Sequence, residues 1–166
     1  MSPDSETGLP NLAEVLAPIL AGVPRQRQPL LIAIAERMAA ERYRGWAADA
    51  ANVNRQADLL ACAAREDEIA RRVEALFPDA AAFQRELIAA NPDFEAINRS
   101  VFAGGSLDRQ FTIQARGERL GAATWRAFAA HAENLAARET FLACAILEEQ
   151  SAVVLESFLG RRGDAP

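Results

Sequence analysis

Four glutamates each fall in the middle of an apolar helical stripe: Glu36, Glu66, Glu118 and Glu148. A carboxylate buried in such a face costs several kcal/mol unless something neutralises it. Four that converge in one interior require metal ions, protons, arginines or water, and two divalent cations would balance them. Their spacing is regular, because 66 minus 36 and 148 minus 118 both equal 30. A pseudo-twofold axis through a helical bundle would produce that pattern.

The regularity belongs to an internal repeat. LLACAAREDEIARRVEALF, Leu59 to Phe77, returns 82 residues later as FLACAILEEQSAVVLESFL, Phe141 to Leu159. The same offset lays Glu36–Val53 on Glu118–Leu135 without a gap. Over the whole stretch, 15 of the 42 positions from Glu36 to Phe77 are identical to Glu118–Leu159. A duplicated helical hairpin accounts for this.

The elements that would position the glutamates follow from periodicity. A helix from about Gln28 to Ala50 places Ile32, Glu36, Ala39, Tyr43 and Trp46 on one face, and a break near Asn52–Asn54 follows. A second helix, Arg55 to Phe77, aligns Leu59, Cys62, Glu66, Ile69 and Val73, and Pro78 prevents its continuation. Leu107 to Ala132 repeats the first helix with Phe111, Glu118, Gly121, Trp125 and Phe128. Arg138 to Leu159 repeats the second with Phe141, Cys144, Glu148, Ser151, Leu155 and Phe158, and Gly160 is a natural stop.

The connection between the hairpins, Pro78 to Ser106, holds one expected helix at Ala80–Ala90 and turns at Asn91–Pro92 and Gly104–Gly105. It is long enough to run the length of a bundle, which implies an all-α, four-helix topology with one long crossover. Ahead of the bundle, Asn11 would cap a short helix with the stripe Leu12, Val15, Leu16, Ile19 and Leu20, a lid or a dimer element. The expected organisation is residues 1–25 as a tail and short helix, 26–160 as the bundle, and 161–166 as a tail.

Composition agrees. Hydrophobic residues make up 51% of the 166, many of them alanine, the best helix former, while strand-favouring residues are sparse. The net charge of -5 supplies no basic patch, so neither nucleic acid nor an anionic membrane is expected as a partner. No apolar run approaches the roughly 20 residues of a bilayer span. The acidic, polar start MSPDSETGLP does not read as a signal peptide, and a cytoplasmic protein is expected. The two cysteines, Cys62 and Cys144, are repeat counterparts and read as small buried residues.

The residues around the glutamates resemble the ferritin-like superfamily, and within it the rubrerythrin-type proteins, from about Gln28 to Leu159. In that pattern a glutamate precedes an Arg-Tyr pair by six residues, as Glu36 precedes Arg42-Tyr43 here. The second and fourth helices of the family each carry Glu-x-x-His in text similar to AREDEIARR and LEEQSAVVL. The resemblance implies a ferritin-like bundle of two duplicated antiparallel hairpins, with Glu36, Glu66, Glu118 and Glu148 as metal ligands for iron or manganese. It also makes a homodimer the expected assembly, with a protein partner as a further expectation.

Both histidines of that motif are missing, since Ile69 and Ser151 occupy their positions. The only histidine, His131, lies 13 residues from Glu118, roughly 20 Å along a helix at about 1.5 Å per residue. Without imidazole the site loses its preference for redox metals and favours oxygen-preferring ions. Three readings remain. The centre is degenerate, binds no cofactor, and the bundle is a structural or interaction protein. Alternatively it is a di-metal carboxylate oxidoreductase or metal-binding protein. In the third reading, an apolar small molecule sits between the helices.

Overall fold

A computed structural model describes residues 8–160. The tail expected at 161–166, and the first seven residues of the segment expected at 1–25, lie outside the described residues. The chain is all-α, and seven α-helices with no strand make up the described part: α1 (Leu12–Leu20), α2 (Gln28–Ala48), α3 (Gln56–Glu74), α4 (Ala80–Ala90), α5 (Phe94–Ser100), α6 (Leu107–Ala130) and α7 (Leu135–Gly160). None is long and apolar enough to cross a membrane.

The long helices form two hairpins, α2 on α3 and α6 on α7, and α3 packs against α7. Each hairpin is tied by matching ion pairs. Arg37 holds Glu74 at 2.6 Å and Arg119 holds Glu156 at 2.7 Å, one repeat apart. Arg44 pairs with Asp67 in the same way that Arg126 pairs with Glu149. These residues are largely exposed, so each pair contributes no more than about 1 kcal/mol. Their recurrence fixes register more than it adds stability.

Local chemistry sets the boundaries. After α2, Asp49 turns extended and its side chain accepts from the Ala51 N–H, opening a 3-10 turn over Ala50–Arg55 with a kink at Asn52. Asn52 is fully buried and donates to the Trp46 carbonyl at 3.0 Å, stitching the turn to the end of α2. The hydroxyl of Ser106 caps α6 through the Arg109 N–H, and Asn134 caps α7 through the Ala137 N–H. Such caps each contribute about 1 kcal/mol.

The core divides in two. Tyr43, Trp46, Leu59, Cys62, Phe111, Leu155 and Phe158 fill one end, and Ile32, Ile69, Val73, Trp125, Phe141 and Cys144 fill the other. The four glutamates lie along the helices between these clusters. Cys62 and Cys144 are free and buried.

Two features go beyond the sequence pattern. The crossover carries a second helix, α5, whose Phe94 packs with Leu31 and Ile34 of α2. It then turns at Gly104, whose φ of 72° suits a residue without a Cβ. Helix α1 lies against α5 and α6, and a Cβ at Gly117 would come within 2.6 Å of Leu12 Cδ1. The absence of a side chain there is what lets α1 sit close. Phe94→Ala should cost roughly 3 kcal/mol or more, and hydrogen exchange should speed up over residues 80–106 while the long helices stay protected.

Candidate metal centre

Three of the four glutamates meet. A carboxylate oxygen from each of Glu36, Glu66 and Glu148 lies within 4.8 Å of the others, and all three residues are buried. Glu118 is equally buried and close enough for its charge to act on all three, yet it falls outside that group and has donors of its own. Its Oε1 accepts from the Tyr43 hydroxyl at 2.7 Å and from Gln114 Nε2 at 2.7 Å. Gln114 stands one helical turn before Glu118, and its repeat counterpart before Glu36 is Ile32. Glu36 therefore has no equivalent donor on its own helix and turns toward Glu66 and Glu148.

The missing histidines are replaced in two different ways. Ile69 is fully buried in the apolar cluster and offers nothing to a ligand. Ser151, also fully buried, donates its hydroxyl to Glu66 Oε1 at 2.9 Å. Trp125, placed by α6, donates Nε1–H to Glu148 Oε1 at 2.8 Å. Opposite it, Gly121 makes room for the same carboxylate: a Cβ there would sit 2.7 Å from Glu148 Cδ and 2.9 Å from Oε2.

A buried cation completes the surroundings. Arg42 donates to Gln114 Oε1 at 2.7 Å and to Asn98 Oδ1 of α5, and its guanidinium lies 3.7 Å over the Phe102 ring. The resulting chain runs from Arg42 through Gln114 to Glu118. Burial lowers the Arg42 pKa to about 10, against the opposing charge of Glu118. Burial likewise raises Tyr43 well above its usual value, with Glu118 next in effect, so the phenol stays protonated and donates.

The trio holds protons far above the ordinary carboxylate range. Burial first, then the charge of Glu118, lifts Glu36 to about 7, while hydrogen bonds from Glu148 and Glu66 work the other way. Glu66 and Glu148 are raised well above their ordinary values, again chiefly by burial and then by the charges of Glu118 and Glu36. Two carboxylate oxygens, Oε2 of Glu66 and Oε2 of Glu118, are buried without a hydrogen-bond partner. Orphaned acceptors of this kind fit a cation, and an all-oxygen donor set suits a hard one. The same set lacks the nitrogen ligands expected of a redox iron pair.

Other acids and aromatics near the motif are accounted for. Asp67 and Glu149 are held in the surface ion pairs, and Glu68 is held by Arg71 and Arg72. His131 is exposed at the end of α6, with Nδ1 on the Ala127 carbonyl at 2.9 Å. Sequence periodicity placed Trp125 in the core but carried no sign of its bond to Glu148. The cradle role of Gly121 was equally silent, although a glycine beside a buried acid on one helical face is the trace it leaves.

No protein-family model, curated protein or solved structure matches the chain. What the chain itself establishes is a class: an all-helical protein with a buried acidic triad that could hold a metal ion.

Two outcomes follow from this geometry. Between the ordinary 4.5 and about 7 the folded state binds a proton at Glu36 that the unfolded chain has released, and the upward shifts of Glu66 and Glu148 extend the window higher. In the metal-free protein these three acids therefore contribute stability that is fully present below about pH 4.5 and is lost as pH rises, by up to about 1.4 kcal/mol per pH unit for each such proton. Glu66→Gln, which mimics the protonated acid, should flatten this slope and raise the melting temperature at pH 8. Gly121→Ala should lower stability although alanine is the better helix former by about 1 kcal/mol, because Glu148 must leave its place; a melting curve of each variant decides both.

Proposed function

We propose that the chain is a ferritin-like four-helix bundle, two duplicated antiparallel hairpins joined by one long crossover, whose di-metal centre is degenerate. In this reading it works as a structural or interaction protein. The observation that carries it is the fate of the two histidine positions: Ile69 is buried in hydrocarbon, and Ser151 directs its hydroxyl to Glu66. The fourth carboxylate is engaged by Tyr43 and Gln114. A ligand set with no imidazole, in which one oxygen of the fourth carboxylate is already engaged, does not fit a pair of redox irons.

A second reading has its own support in the trio itself, whose Glu66 Oε2 is buried without a partner. Glu36, Glu66 and Glu148 would hold a single hard divalent cation, which would replace the trio's protons and supply the missing counter-charge. The role of the chain's residues is then to bind and orient: Trp125 fixes Glu148 and Ser151 fixes Glu66.

Elemental analysis of protein purified without chelator separates the readings. Well under one metal per chain is the expected result, with the melting temperature at pH 8 unmoved by added manganese. One manganese per chain, with stabilisation that disappears in Glu66→Gln, would establish the second reading instead. Two tightly held irons with peroxide turnover would refute both.

A further inference from the structure

A separate cavity of about 470 Å³ opens at the end of the molecule where α2 and α7 begin, lined among others by Arg25, Phe77, Phe128, His131 and Phe141. Its size falls within the range of about 300–1,000 Å³ typical of small-molecule pockets. The wall is aromatic. The Phe128 and Phe141 rings are 5.8 Å apart, and behind them the fully buried Trp125 stacks on Phe141 at 5.8 Å with an interplanar angle of 18°. Rings so arranged present faces and edges to a flat apolar body.

The rim carries one cation. The Arg25 side chain makes no hydrogen bond or ion pair with any described residue, whereas its neighbour Arg27 is fixed by Asp79 and lies over the Phe77 and Phe83 rings. Across the opening starts α7, where Asn134 satisfies the Ala137 N–H and both residues line the cavity. The one acid on the rim, Glu133, is exposed.

We propose that this pocket binds a small aromatic carboxylate, its ring against Phe128 and Phe141 and its carboxylate on Arg25. The guanidinium supplies paired donors that match a carboxylate, and the apolar wall supplies the area for the ring. The site is distinct from the glutamate trio and stands whether or not that trio holds a metal. It is nevertheless linked to it, since Trp125, behind the pocket wall, is the residue that donates to Glu148. Trp125 fluorescence therefore gives a direct readout.

The test uses 3-phenylpropionate and its amide, titrated into the Trp46→Phe protein by fluorescence and into the unaltered protein by calorimetry. The acid should saturate at one per chain and bind about tenfold tighter than the amide. Arg25→Gln, at an exposed position, should remove that difference without changing the melting temperature, and Phe128→Ala should weaken both ligands. Equal binding of acid and amide, no saturation at millimolar concentration, or an undiminished acid preference in Arg25→Gln would each overturn the proposal.

Discussion

A carboxylate inside a packed protein must acquire a proton, a cation or a ring of donors, and the middle of this molecule is organised by that requirement. Glu118 takes the ring of donors, from Tyr43 and Gln114. The trio of Glu36, Glu66 and Glu148 receives fewer: a serine hydroxyl for Glu66, an indole N–H for Glu148 and no side-chain donor outside the trio for Glu36. The remainder of the demand falls on protons, which is why burial leads the causes of every upward shift there. Arg42 is the nearest permanent positive charge, yet its donors go to the neutral amides of Asn98 and Gln114. It acts on the acids through space and through Gln114, not by direct pairing.

The duplication supplies the frame, and its departures from symmetry supply the asymmetric centre. On the outside the two halves agree closely, with the Arg37–Glu74 and Arg44–Asp67 pairs returning as Arg119–Glu156 and Arg126–Glu149. Inside they diverge at a few positions. Gln114 stands where the first repeat has Ile32, Trp125 where it has Tyr43, Gly121 where it has Ala39, and Ser151 where it has Ile69. Under strict symmetry Trp125 would donate to Glu36, as Tyr43 does to Glu118. Gly121 instead lets Glu148 come toward α6, where it accepts from Trp125. The missing Cβ at Gly121 and the amide of Gln114 thus give Glu148 and Glu118 surroundings that their counterparts Glu66 and Glu36 lack.

This division explains what could be read from the sequence. The four long helices were legible because each has a stripe of apolar residues at helical spacing, and the repeat shows the pattern twice. The expected span of Gln28 to about Ala50 against the observed Gln28–Ala48 differs only where Asp49 turns extended. Ala80–Ala90 was legible for the same reason. Helix α5 was not, because seven residues make barely two turns and its only fully buried side chains are Phe94 and Asn98. Burial of the four glutamates was expected from their place in the stripes. That Glu118 would have donors of its own was not, since it depends on Gln114 and Tyr43 reaching across helices, which periodicity does not encode. The role of Arg42 was hidden likewise, because a long charged side chain on a helix reads as solvated until a neighbour such as Phe102 is known to cover it.

The same interior determines what lies between the acids and solvent. A small cavity of about 70 Å³ reaches Glu36, Glu118 and Glu148 past Ala35, Ala39, Gly117 and Gly121, and Leu12 and Leu16 of α1 line it. Arg42, stacked on Phe102 and bonded to α5, lines the same cavity, so a cation entering it meets a guanidinium. Small residues keep α2 and α6 from sealing that seam themselves. No residue of α1 is fully buried, and Pro18 lacks the N–H that would bond back along the helix, so α1 lies on this seam through the partly buried Leu12, Val15, Leu16, Ile19 and Leu20. The stretch that resembles an accessory in the sequence is therefore part of the cover over the acids.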